Sequence, residues 1–125
     1  MRTHSRIVMA GAGLACLAGA PALAHHSYAM FDAKQNKELS GTIQTFKWTN
    51  PHSYIEVIVM DDKGQTQTWG VECGSPAQMV RAGWKSTSLK PGDHVVVTVH
   101  PLRDGTPGGS FVQVQTADGK VLKAS

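Results

Sequence analysis

GSPAQMVRAGW, residues 74–84, decides the fold. Ser75 is a helix N-cap, and Pro76 stands at the first helical position, where no N–H is needed. Gln78 follows Ser75 by three residues and completes a capping box. Gly83 supplies the residue past the helix end, where a positive φ is wanted. The stretch therefore predicts one helix over Pro76–Ala82, with Met79 and Val80 as its apolar contacts.

On both sides of this helix the apolar period is two, not 3.6. Upstream, three strands are expected: Leu39–Trp48, Ser53–Met60 and Gln67–Cys73. In the second, Ile55, Val57 and Val59 share the core face, and Tyr54, Glu56 and Ile58 share the other. In the third, Trp69, Val71 and Cys73 turn inward. Thr49-Asn50-Pro51 and Asp61–Gly64 are the connecting turns. Downstream, Leu89–Asp93 is a turn, His94–His100 a strand with Val95, Val97 and Val99 inward, and Leu102–Gly109 a long mobile loop. Ser110–Thr116 is the last strand, followed by a short tail at Lys120–Leu122. The order β-β-β-α-β-β, with one short helix between strands three and four, is that of a mainly β, small OB-like five-stranded Greek-key barrel.

Outward again, residues 1–24 read as an export signal. Arg2 and Arg6 precede an apolar run from Ile7 to Ala20. Pro21 breaks it, and Ala22-Leu23-Ala24 has the small-x-small form of a cleavage site. The run is too short to span a bilayer, which takes about 20 residues, so no membrane span is expected in the mature chain. Cleavage is predicted after Ala24, with processing at Cys16 as the alternative. The periplasm of a Gram-negative bacterium is the expected compartment. Residues 25–37 then form an N-terminal arm, with Tyr28, Met30 and Phe31 as candidate anchors, and 38–125 form the barrel domain.

Loss of Arg2 and Arg6 takes the net charge of +3 down to +1. That balance gives no argument for a nucleic-acid partner. Cys73 is the one cysteine left after cleavage, so the fold stands without an internal disulfide.

HHSYAMFD (25–32), GTIQTFKWTNPHSYIEV (41–57), GSPAQMVRAGW (74–84), LKPGD (89–93) and HPLRDGTPGG (100–109) together make the chain resemble a family of small exported bacterial proteins, the domain-of-unknown-function family 6152. The resemblance covers most of the mature chain. It carries no catalytic residue over, because that family is itself uncharacterised.

Chemistry must therefore be read from the residues. Cleavage after Ala24 gives His25 a free α-amine beside its own ring nitrogen, and the two can chelate one metal ion. His26 adds an imidazole or its amide nitrogen. Such nitrogen donors suit copper above nickel and zinc, so copper is the expected cofactor if one is bound. His52 or His100, at the rim of the barrel, would complete the set His25, His26, His52 and His100. The alternative is a frayed tail that starts with two histidines.

A second candidate site is the outer face of strands two and three. His52, Tyr54, Glu56 and Glu72 share it by parity, and Trp48 is a further candidate. Aromatics beside carboxylates suit sugars or cations, and this face is a common ligand surface in OB-folds. The alternative is a solvated sheet face. Cys73 by parity is a buried structural cysteine. Met30, Met60 and Met79 lack the clustering of a copper(I) site and read as packing.

No G-x-S-x-G or H-E-x-x-H pattern occurs, and the glycines of 105–109 precede no helix. The expectation is an exported periplasmic binding protein without catalysis of its own. Its partner is a metal ion or small ligand, or a periplasmic protein to which it serves as an accessory subunit.

Overall fold

A computed structural model describes residues 28–125. After a 3-10 turn at Tyr28–Met30, the elements are β1 (Lys37–Lys47), β2 (Tyr54–Met60), β3 (Thr66–Glu72), α1 (Pro76–Arg81), β4 (His94–Pro101), β5 (Gly108–Thr116) and β6 (Val121–Lys123). The strands lie in the order β3-β2-β1-β4-β5-β6, and β3 also pairs with β5. That pairing is parallel, and it closes five strands into a barrel through Gly70–Glu72 and Gly108–Ser110. The rest of the same β5 edge takes β6, through Gln113–Gln115. This is the OB-like Greek-key barrel expected from the order of elements.

Period-two patterning sets the interior. Ile55, Val57, Val71, Val97, Val99 and Val114 are fully buried on the inward faces of their strands. The helix plugs this interior. Ser75 Oγ accepts from the Gln78 backbone N–H, and Gln78 Oε1 accepts from the Ser75 N–H, so the capping box is complete. At the other end the Gly83 N–H reaches the Val80 carbonyl and the Trp84 N–H reaches the Met79 carbonyl, with Gly83 at φ 91°. These two bonds make a Schellman turn. The turn drives Trp84 under the barrel beside Met79, both 2% exposed. Trp84 packs against Phe46 and Phe111, and its indole N–H donates to the Lys123 carbonyl at 2.8 Å.

Three expectations need correction. Val80 is not a contact of the helix: it is 58% exposed, because a helix this short buries one stripe and Met79 takes it. The loop expected over 102–109 is a tighter hairpin, in which Leu102 N–H bonds the Gly108 carbonyl and strand β5 begins at Gly108. Gly108 and Gly109 lie in the strand, at positions with no room for a Cβ. A Cβ on Gly109 would come within 2.8 Å of the His100 carbonyl and of Val99. Leu89, expected within a turn, is a buried core residue.

The arm docks on the barrel. Phe31 is buried and forms a β-bridge with Leu102. The Asp32 N–H reaches the Pro101 carbonyl at 2.8 Å, and the Arg103 N–H reaches the Met30 carbonyl at 3.0 Å. The Arg103 guanidinium adds a hydrogen bond to the Ala29 carbonyl and an ion pair with Asp32 at 3.7 Å.

Candidate functional site

A β-bulge in β1 sorts the predicted residues. Ile43 pairs with Val57 but Thr45 pairs with Glu56, so Gln44 is the extra residue. Beyond it, Phe46 points inward and Thr45 and Lys47 point outward. The bulge also resets Trp48. It packs edge-on against Phe46 and against the core cluster, on the side away from Tyr54 and Glu56. Glu56 is held by the Thr45 hydroxyl at 2.6 Å and by Lys47 at 3.6 Å. The Thr45 hydrogen bond, helped by the Lys47 charge, pulls its carboxyl below the ordinary 4.5.

The ladder registers place Lys47, Tyr54, Glu72, Ser110 and His100 in one row around the outside of the barrel. Glu72 sits at the middle of that row. Beyond the end of β2 the ladder continues: the Ser53 N–H bonds the Gly74 carbonyl and the Cys73 N–H bonds the Ser53 carbonyl. This holds the preceding His52 against Glu72, with Nδ1 2.6 Å from Oε1. The Glu72 side chain is only 15% exposed. Tyr54, directly across the ladder, has its phenol pKa raised by burial and then by the charge of Glu72.

The docked arm turns this face into concave surface. Met30, Phe31, Tyr54, Gly70, Glu72 and Leu102 line a cavity of about 220 Å³. Across Glu72, a larger cleft of about 530 Å³ runs between Tyr28, Gln78, Arg81 and Ser110. Glu72 is common to both. Sequence parity placed Tyr54 and Glu72 correctly but not the arm residues that wall the site, because an arm has no period to read. The one sequence signal was the aromatic content of Tyr28 and Phe31.

The histidines are less convergent. His100 Nδ1 donates to the Gln35 carbonyl at 2.8 Å. In the row it stands two strands from Glu72, about 10 Å at ordinary strand spacing. The structure therefore does not bring His52 and His100 to one point. His94 faces the Thr42 hydroxyl at 3.2 Å, away from this row. His25 and His26 lie outside the described residues. Among the described residues no group of three or more His, Cys, Asp or Glu side chains is placed to hold a metal. Two donors remain of interest, because Nδ1 of both His52 and His100 is engaged by an oxygen. In the neutral tautomer each then presents Nε2 as a lone pair, the arrangement that carboxylates and carbonyls impose on metal-binding histidines.

Cys73 is buried at 4% exposure. Burial, then the neighbouring Glu72 charge, pushes its thiol pKa far up. A group kept protonated in this way is neither a nucleophile nor a ready ligand.

Among the described residues no helix is long and apolar enough to cross a membrane. The family of unknown function DUF6152 matches residues 12–112, and the chain belongs to that family. No curated protein and no solved structure matches the chain.

Proposed function

We propose that this DUF6152 member is an exported periplasmic module that binds a small ligand on the outer face of β2 and β3, beneath its own N-terminal arm. The signal-like residues 1–24 support export. One observation carries the site. The docked arm and the strand face together form an open concave site at Tyr54 and Glu72, and Glu72 is a carboxylate held largely out of solvent. A carboxylate kept at 15% exposure costs solvation, and a seat for a polar or charged ligand group is one use for that cost.

The test is an amide-resolved NMR titration of the exported protein with small neutral, anionic and cationic fragments. Shifts should gather at Tyr54, Gly70 and Glu72 for at least one class and vanish in Tyr54→Ala. Shifts gathered elsewhere, or none at all, would overturn the proposal.

A second reading is favoured by the free Nε2 of His52: a copper(II) module in which the mature His25 amine and ring lead and His52 joins. It predicts tight one-to-one binding through nitrogen. Replacing His25 and His26 together by alanine should weaken that binding by far more than about tenfold, since both ring nitrogens beside the amine are lost. Unchanged copper affinity would sink it.

A further inference from the structure

Gly70 lies in the middle of β3, paired with Glu56 on one side and with Gly108 on the other. A glycine inside a strand costs about 0.5–1 kcal/mol and normally answers one of two needs. The first is a positive φ, which Gly70 does not have. The second is close approach of a neighbour, yet a Cβ built on Gly70 would meet nothing within 4 Å. Gly109 shows the contrast, with its Cβ position blocked by Val99 and the His100 carbonyl, each at 2.8 Å. What a side chain on Gly70 would fill is the cavity of about 220 Å³ that it lines. Strand stability alone does not explain this glycine, but an open site does.

The walls of the cavity name its ligand. Phe31 and Tyr54 give aromatic surface, Met30 and Leu102 give apolar surface, and Glu72 gives the charge. Tyr28, 68% exposed, stands beside Phe31 with ring centroids 6.4 Å apart and lines the neighbouring cleft. No lysine or arginine is among the lining residues. Aromatic faces around a carboxylate attract a cation, and soft apolar walls accept alkyl groups on it.

We propose that the cavity over Gly70 receives a small alkylammonium group, with Glu72 as counter-charge and Tyr54 and Phe31 as aromatic walls. This rests on the ligand-site reading above and names its chemical class. Glu72 serves the group while still accepting from His52, because a carboxylate has two oxygens and His52 faces Oε1.

The test uses the exported full chain and three probes: tetramethylammonium, its neutral isostere tert-butanol, and propionate. Tetramethylammonium should give saturable NMR shifts at Gly70, Glu72 and Tyr54, at least about tenfold tighter than tert-butanol. Glu72→Gln should remove that preference. Gly70→Val should abolish binding while the melting temperature holds or rises, since the site is open and valine favours strands. Gly70→Ala, the smaller intrusion, should weaken binding with the fold intact. Equal binding of tert-butanol or propionate at these residues would overturn the alkylammonium assignment and leave the ligand-site reading standing. No probe or fragment binding there would overturn both. Full tetramethylammonium binding by folded Gly70→Ala and Gly70→Val would show that the cavity is not the seat.

Discussion

Helix α1 and the N-terminal arm both lie against the barrel, and they are fastened by opposite means. The helix is held by apolar area. Its Schellman turn delivers Trp84 into a cluster with Met79, Phe46 and Phe111, continuous with the strand interior. The arm is held by backbone hydrogen bonds to Pro101 and Arg103, by polar contacts from the Arg103 and His100 side chains, and by one buried apolar side chain, Phe31. Phe31 is 6% exposed, yet it does not belong to the continuous core cluster. A segment fastened in this second way can open without unfolding the rest, because few buried contacts are lost. The cavity proposed for a ligand is walled by the segment with fewer buried contacts. Binding surfaces that must admit a ligand are drawn from such low-stability segments.

The strongest test of this contrast is Trp84→Ala. It should cost about 3–5 kcal/mol of global stability, from the lost ring and the cavity it leaves. Chemical denaturation would show it as a large fall in midpoint with one transition. A drop below about 1 kcal/mol would mean that the plug is no more integral than the arm.

Phe31→Ala comes next. It should release the arm while shifting the global midpoint by no more than about 1 kcal/mol, because local opening limits the loss. Hydrogen exchange would locate the effect: the Asp32 and Arg103 amides should lose protection, while those of Val57 and Val97 keep theirs. A global loss as large as that of Trp84→Ala would erase the distinction. The smallest effect is expected of Ser75→Ala, which removes the cap of a helix already anchored by Trp84. It should cost about 1 kcal/mol by denaturation and leave arm protection unchanged.

The two attachments also differ in how legible they were. The helix could be read almost atom for atom, since a capping box and a C′ glycine are local devices that work over a few residues. Val80 was misplaced because two adjacent apolar residues in a two-turn helix do not say which one faces the barrel. The arm offered only Tyr28, Met30 and Phe31 without spacing, and which of them anchors was settled by where Leu102 lies. Trp48 was a further candidate for the outer face, where an unbroken count of two along β1 would leave it. The bulge at Gln44 breaks that count, and an inserted residue in a strand leaves no mark in composition.

The sequence by itself determined the strand periodicity, the single helix and its caps, and therefore the β-β-β-α-β-β order expected of a small OB-like barrel. It also put Tyr54, Glu56 and Glu72 on an outward face, because strand parity is a local geometric fact. Tertiary structure alone decided that β3 and β5 close the barrel in parallel, that His52 meets Glu72 at 2.6 Å, and that the arm folds down to make a cavity over Gly70. Those contacts join residues between 20 and 71 positions apart in the chain, such as His52 to Glu72 and Phe31 to Leu102. Periodicity acts over a turn or a strand and carries no information at that range; packing supplies it.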